Sequence, residues 1–163
     1  SPAAAKVDGV GSQGFSVSYS VETRASTATA YKGFAAIGQW WNPAHSYSGK
    51  AENLRLDLRV GGCFCERLPE GGGVEHLAVK MLMPRKRVVM TGGLGPLLLS
   101  GASGSFDVQF LPTTNGSRIE VRYHVSGLNG DKAAMMAPLV DQVLAEQMAR
   151  LAAYLDRTAV MKQ

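Results

Sequence analysis

The chain has 163 residues, of which 45% are hydrophobic and 18% are charged, and its formal net charge is +4. This length suits one domain with one sizeable core, and the composition excludes a disordered chain. No apolar run approaches the roughly eighteen residues that a membrane-spanning helix needs, so the sequence predicts no membrane span.

The first thirteen residues, SPAAAKVDGVGSQ, are small, polar and rich in glycine. Such a segment is typical of a flexible terminus. We therefore predict a leader over residues 1–13 and a single domain over residues 14–158. A start at Ser-Pro-Ala is compatible with a cytoplasmic protein, and equally with an exported one whose signal peptide has been removed.

The next two segments predict a strand and a short helix. FSVSYSVE, from Phe15, alternates apolar and polar residues strictly, which indicates a half-buried strand. Ser26 then has the position of an N-cap for the helix TATAYKGFAAI, which ends before Gly38.

The segment QWWNPAHSYSG follows and contains both tryptophans of the chain. Its proline, glycine and serines indicate a loop, where large aromatic side chains are unusual. The loop either plugs the core or lines the mouth of a site. We predict that Trp40 packs inward under the short helix, that Trp41 and Tyr47 close a mouth, and that His45 is a hydrogen-bonding residue at the rim.

A run of strands comes next. NLRLDLRV (residues 53–60), CFCERL (63–68), VEHLAVKML (74–82), GSFDVQFL (104–111) and RIEVRYHV (118–125) are separated by turn residues. Hairpin-linked strands favour an antiparallel sheet. The alternation predicts that one face is apolar, with these inward residues: Leu54, Leu56, Leu58, Phe106, Val108, Phe110 and Tyr123.

The last element is a long amphipathic helix over residues 131–156, with apolar residues at three- and four-residue spacing. Pro138 is expected near its first turn, where a missing N–H is harmless. The face toward the sheet includes Met136, Val140, Val143, Leu144 and Met148. One such helix must cover the apolar face of the sheet, so we predict an α+β fold. Whether the space between them is filled or hollow is not decided by the pattern.

The hairpin of the two cysteines offers candidate polar groups. Cys63 and Cys65 on an extended strand have Cα atoms about 6.6–6.8 Å apart, at the long limit for a disulfide, so we expect two free thiols on the inner face with Leu77. A five-residue loop then places Glu75 and Arg67 on that face. Glu75 is either a desolvated acid–base group or, as we favour, an ion-pair partner of Arg67.

The sequence gives little support for a metal, cofactor or nucleic-acid site. The histidines and cysteines do not converge with the spacing of a metal motif, so we expect no metal and no cofactor. The densest basic run, Arg85-Lys86-Arg87, lacks the broad aromatic-interleaved stripe of a nucleic-acid interface, so we expect no nucleic-acid partner. A homodimer is left open.

Four features together resemble a known family. They are Trp40-Trp41 after a short helix, the strand LDLRVGGCF ending in Arg-x-Gly-Gly, the opening Pro84-x-x-Arg87-Val-Val of a later strand, and the closing helix. Over residues 15–155 the chain resembles the AHSA-type branch of the START/SRPBCC superfamily, whose helix-grip fold is that of the birch-pollen allergen. Family strands after the Gly-Gly often lead to Gly-x-Val in the next strand, where this chain has Val74-Glu75-His76-Leu77.

The resemblance implies about seven antiparallel strands wrapped around a long C-terminal helix, two short helices after the first strand, and a hydrophobic cavity between sheet and helix. Members bind lipids, polyketides or other apolar molecules, some are cyclases, and some are chaperone partners. We therefore expect an apolar small-molecule ligand. The alternatives are a cyclase- or hydrolase-type enzyme, with Glu75 or Tyr123 as catalytic candidates, and a chaperone-interacting module. The expected ligand contacts are Trp40, Trp41, Tyr47, Leu56, Leu58, Cys65, Leu77, Phe106, Val108, Tyr123, Met136, Val140 and Leu144.

Overall fold

The computed structural model describes residues 4–161. It is an α+β protein in which a long C-terminal helix packs on an antiparallel sheet of eight strands. The strands are β1 (Ala4–Val10), β2 (Phe15–Thr23), β3 (Leu54–Leu56), β4 (Cys63–Arg67), β5 (Gly73–Met83), β6 (Arg87–Gly92), β7 (Ser103–Thr113) and β8 (Gly116–Ser126). The α-helices are α1 (Thr27–Ala35), α2 (Pro96–Leu99) and α3 (Lys132–Met161).

The strand order is β1-β2-β8-β7-β6-β5-β4-β3. Strands β3 to β8 form a meander, and β2 pairs with β8. Helix α1 and the loop over residues 36–53, which contains both tryptophans and is called the tryptophan loop, therefore carry the chain from one half of the sheet to the far edge. Single 3₁₀ turns interrupt this loop at Ile37–Gln39, Pro43–His45 and Ala51–Asn53. The predicted α+β class and the long closing helix are confirmed, with one strand more than expected.

The additional strand is β1, so the flexible leader predicted over residues 1–13 is wrong for residues 4–10. Residues 1–3 lie outside the described part of the chain. β1 pairs antiparallel with β2, with Val7 opposite Val17. An edge strand needs only backbone hydrogen bonds along one side, so its small and polar side chains carry no alternation that a sequence pattern could detect.

The strand predicted over residues 53–60 ends at Leu56. The chain then turns, and Gly62 lies so close to the Asp57 carbonyl that a side chain there would collide with it. Leu58 is consequently only half-buried, and Val60 is 64% exposed. The expectation that Leu58 points inward is wrong, because the chain leaves the strand at Leu56, before the Gly61-Gly62 turn.

Helix α1 begins as predicted. The Ser26 hydroxyl accepts a hydrogen bond from the Thr29 backbone N–H at 3.2 Å, which satisfies one of the unpaired donors of the first turn. Its Phe34 is buried in the core. Gly33 lies directly against Leu155, where a side chain would overlap that residue, so α1 approaches α3 closely.

Helix α3 has 30 residues and extends beyond the predicted end. Buried residues recur along one face, from Ala133 and Val140 to Leu155. Pro138 lies inside the helix rather than in its first turn, and because residue 134 is exposed, water can satisfy the carbonyl that Pro138 leaves without a partner.

Two side-chain hydrogen bonds fasten α3 to β2. The Tyr19 hydroxyl donates to Asp141 Oδ1 at 2.9 Å, and the Thr23 hydroxyl donates to Asp156 Oδ1 at 2.7 Å. Buried apolar residues from the sheet, α1, the tryptophan loop and α3 form one core. Within residues 4–161, no helix is long and apolar enough to cross a membrane.

Candidate functional site

A cavity of about 250 Å³ lies between α3 and the β3–β5 half of the sheet. Its helix wall includes Met136, Val140 and Leu144, and its sheet wall consists of Leu54, Phe64 and His76. Two loops close the sides, one with Trp41 and Tyr47 and the other with Leu94 and Pro96. The lining is therefore apolar and aromatic with few polar groups, which is typical of small-molecule sites.

Trp40 lies beside this cavity and completes the core under α1. It is 2% exposed and stacks on Phe34, with ring centroids 5.8 Å apart. Its indole N–H reaches the carbonyls of Gly33 and Phe34 at 3.2 and 3.3 Å. The predicted inward packing of Trp40 under the short helix is confirmed.

Trp41 faces the cavity. Its ring meets Phe64 edge-on at 5.2 Å, and its indole N–H donates to the His45 carbonyl at 3.0 Å. It is 7% exposed, so both indoles are buried. The loop is nevertheless more than a plug, because one side of Trp41 forms cavity wall.

Helix α3 holds the tryptophan loop through three polar side chains within residues 146–150. The Asn42 backbone N–H donates to Gln147 Oε1 at 2.8 Å, and its side-chain amide donates to Glu146 Oε1 at 2.6 Å. Arg150 donates to the Trp40 carbonyl at 2.7 Å. These contacts give the loop a fixed position that its sequence alone would not supply.

The rim of the cavity is polar. His45 Nε2 lies 3.1 Å from Glu146 Oε2, which confirms the prediction of a hydrogen-bonding rim histidine. Tyr47 is 45% exposed, and its hydroxyl donates to the Gly95 carbonyl at 2.8 Å. This bond joins the two loops that form the sides of the cavity, as expected of a residue that closes a mouth.

The deepest polar feature is a buried pair, Glu66 and His76. They are 2% and 6% exposed, and Glu66 Oε1 lies 2.8 Å from His76 Nε2. The His76 ring packs between Phe64, with ring centroids 4.7 Å apart, and Tyr47, at 5.5 Å. A histidine thus forms part of the cavity wall with a carboxylate directly behind it.

Glu66 is held in its ionised form by this environment. Burial raises the pKa of its carboxyl, but hydrogen bonds from Ser48, from the Tyr47 backbone N–H and from His76 outweigh burial. The pKa of Glu66 therefore lies below its usual value. Bonds to the charged form of an acid act in this direction. The backbone N–H groups of Tyr47 and Ser48 lie 3.1 and 2.5 Å from its two oxygens.

A β-bulge brings this pair inward. Phe64 pairs with Leu77, whereas Cys65 pairs with Glu75, so His76 is an extra residue on β5. A bulge of one residue changes which side chains face the core. Consequently His76 and Leu77 are both buried, although they are neighbours on a strand.

The same bulge contradicts the predicted inner face of this hairpin. Cys65 and Glu75 pair on the opposite face of the sheet, where Glu75 is exposed. Arg67 donates to the Glu52 carbonyl at 3.1 Å instead of forming the expected ion pair with Glu75. The predicted roles of Glu75 as a cavity acid and Cys65 as a ligand contact are therefore wrong.

The remaining predicted contacts divide into two groups. The structure places Trp41, Tyr47, Met136, Val140 and Leu144 on the cavity wall. The second group lies deeper in the core or beside it. Trp40, Leu56, Leu77 and Phe106 surround a small void of about 10 Å³ behind Trp41, Val108 is fully buried, and Leu58 packs at the edge of the core.

Tyr123, the other catalytic candidate, is hydrogen-bonded to backbone groups through its hydroxyl. Its hydroxyl donates to the Gly92 carbonyl at 2.7 Å and accepts from the Leu94 N–H at 3.1 Å. Burial raises the pKa of Tyr123 to about 12, although the Leu94 N–H lowers it. The hydroxyl is buried and already both donates to and accepts from the backbone. These bonds indicate that Tyr123 fixes the loop before α2 rather than binding a ligand.

Cys63 and Cys65 form a disulfide with Cα atoms 5.4 Å apart, so the prediction of two free thiols is wrong. This Cα separation is shorter than the one expected for an extended strand. Their sulfurs and a Glu75 oxygen lie within 4.8 Å of one another. Zinc is bound by cysteine thiolates, and in the disulfide neither Cys63 nor Cys65 has a thiolate to offer a metal.

Neither a protein-family model nor a curated protein matches this chain. Solved structures do resemble it. A protein of Rhizobium leguminosarum is 18% identical with a TM-score of 0.61, covering 96% of this chain and 99% of its own. A protein of Nitrosomonas europaea is 15% identical with a TM-score of 0.62, covering 89% and 96%. One of Rhodobacter sphaeroides is 12% identical with a TM-score of 0.62, covering 98% and 99%. At these identities the likeness shows the fold alone.

Proposed function

We propose that this chain is a START/SRPBCC-like protein with a helix-grip fold, and that it binds a small apolar or amphipathic molecule between its sheet and α3. The observation that carries the proposal is the cavity of about 250 Å³ lined by Trp41, Phe64, Val140 and Leu144. A packed core rarely leaves so much apolar space. The motifs that resemble this superfamily support the same function.

The size of the cavity favours a small ligand. Pockets for drug-sized molecules commonly measure about 300–1,000 Å³, and this one lies just below that range. It suits a molecule of one or two fused rings, or a short chain, rather than a lipid with two acyl chains. Three aromatic residues in the cavity lining (Trp41, Tyr47 and Phe64) favour a flat ring system.

The proposal is tested by mass spectrometry of the intact purified protein under native conditions, together with thermal-shift measurements against apolar ring compounds. It expects a bound small molecule or a raised melting temperature with naphthalene-sized compounds. Finding neither across a panel of ring compounds, lipids and polyketides would overturn it.

A second candidate function is proton-transfer catalysis on the bound molecule. Glu66 behind His76 is the arrangement that orients a histidine as a general base, and it replaces Glu75 and Tyr123 in this hypothesis. The probe is 5-nitrobenzisoxazole, from which a base removes the C3 proton. The C–H electrons then form the nitrile and the N–O bond breaks to a coloured phenolate. Turnover that disappears in His76→Gln supports this candidate, and turnover equal to buffer contradicts it.

A further inference from the structure

His76 contributes a single available polar atom to the cavity wall. The two oxygens of ionised Glu66 can only accept hydrogen bonds, so His76 Nε2, 2.8 Å away, carries the proton. In the neutral imidazole the other nitrogen, Nδ1, is then an acceptor. The carboxylate thus selects the tautomer that keeps an acceptor available.

Nδ1 remains unpaired and accessible. Among residues 4–161 no group hydrogen-bonds to it. Gln147 Nε2 is the one side-chain polar atom in this part of the chain that is both fully enclosed and unpaired, so Nδ1 retains contact with open space. His76 lines the cavity, and its Nε2 is bonded to Glu66, so Nδ1 is the ring nitrogen that remains for a ligand bound there.

The charges around the cavity disfavour anions. The Glu66 carboxylate lies behind the sheet wall, and Glu146 lies at the rim beside His45. Neither lysine nor arginine from the described residues forms part of the wall. A bound carboxylate would meet these like charges with no cation to pair it, and burying an unpaired charge is costly.

We infer that the cavity selects neutral molecules with a ring-shaped apolar body and one hydrogen-bond donor, such as phenols and cyclic alcohols, and that the donor binds His76 Nδ1. Molecules that carry a carboxylate, whether on a ring of the same shape or on a fatty acid, are rejected because of their charge. This inference rests on the proposed function, because it names the ligand class of the same cavity.

Three matched probes separate the inference from the proposed function. Naphthalene, 2-naphthol and 2-naphthoate share one apolar body and differ in the polar group. Their affinities are measured by calorimetry at pH 8. We expect 2-naphthol to bind about 3- to 10-fold more tightly than naphthalene, the range of one neutral hydrogen bond, and 2-naphthoate to bind more weakly than both.

The variant that removes the acceptor is His76→Phe, which keeps a ring of similar size. It is expected to bind naphthalene and 2-naphthol equally. His124→Phe is the matched control, since His124 is exposed on β8, and it should keep the preference of the wild type. If His76→Phe does not fold, His76→Leu, which also lacks an acceptor, takes its place with the same expected result, and the comparison of the three probes on the wild type is a test in itself.

The outcomes are distinct. Wild-type protein that binds naphthalene and 2-naphthol equally, or 2-naphthoate as tightly as 2-naphthol, overturns the inference and leaves the proposed function standing. A preference for 2-naphthol that survives in His76→Phe also overturns it. Wild-type protein that binds none of the three compounds contradicts the proposed function itself.

Discussion

Glu66 Oε1 lies 2.8 Å from His76 Nε2, and both side chains are buried in the sheet wall of an apolar cavity. A buried charged group normally contributes to stability only when its partners satisfy it. Here the partners are backbone N–H groups of the tryptophan loop and one imidazole. The pair therefore links the loop, the sheet and the cavity.

The first prediction concerns pH. The pKa of Glu66 is lower in the folded protein than in the unfolded chain. Its ionised carboxylate therefore adds fully to the free energy of unfolding above the unfolded-state pKa, and this stabilisation is lost as pH falls through the folded-state pKa. Glu66→Gln should destabilise the protein at pH 7 by about 1–3 kcal/mol, the cost of losing charge-assisted hydrogen bonds. The difference from the wild type should shrink below about pH 4, as measured by urea unfolding across pH.

The control for this prediction is Glu52→Gln, because Glu52 is exposed. It should change stability by less than about 0.5 kcal/mol at every pH. If the difference in unfolding free energy between Glu66→Gln and the wild type stays constant down to pH 3, these contacts do not stabilise the ionised form of Glu66.

The two tryptophans should respond differently to a ligand. Trp41 forms cavity wall, whereas Trp40 is enclosed between α1 and the core. We expect the fluorescence change on adding 2-naphthol to persist in Trp40→Phe and to disappear in Trp41→Phe. Trp40→Phe should also lower stability by about 1–3 kcal/mol, since it removes a buried donor and packed volume. A fluorescence change that persists in Trp41→Phe and disappears in Trp40→Phe would mean that 2-naphthol binds outside this cavity.

Filling the cavity should abolish binding without unfolding the protein. Val140→Phe adds volume from α3 directly into the cavity, so the affinity for naphthalene should fall at least about tenfold, while the far-UV circular dichroism spectrum stays unchanged. Val160→Phe is the matched control, since it makes the same substitution at an exposed position of the same helix. Undiminished binding by folded Val140→Phe would exclude this cavity as the site.

The disulfide should matter little to either stability or binding. It closes a loop with a sequence separation of only 2, for which chain entropy gives about 1.6 kcal/mol. Replacing Cys63 and Cys65 together by serine should therefore cost at most about this amount in urea unfolding. The affinity for naphthalene should not change, because both side chains face away from the cavity. A large loss of affinity would mean that the disulfide controls the bulge at His76.

The sequence could predict those elements that alternate or repeat regularly. β2, β7 and β8 alternate without interruption, so their register and inner face follow directly from period-two alternation. The three- and four-residue spacing of α3 correctly placed Met136, Val140 and Leu144 toward the sheet. Trp40 was predictable because a large aromatic residue directly after a helix has the core within reach.

The polar centre of the site could not be predicted, for a physical reason. One extra residue at His76 puts Glu75 and Leu77 on opposite faces of β5, and a bulge leaves no distinct trace in a short strand pattern. The prediction consequently placed Glu75 on the inner face and assigned no role in the site to Glu66 or His76. One signal was present: Glu66 and His76 are an acid and a histidine on two consecutive strands of one hairpin, a combination that forms a hydrogen-bonded pair when both face the core.

The most direct test of this account is a crystal structure of the protein grown with 2-naphthol. The account predicts a naphthalene ring between Trp41, Phe64 and Val140, with its hydroxyl within about 3.2 Å of His76 Nδ1. Electron density for 2-naphthol only outside this cavity, or side chains that fill the cavity completely, would contradict it.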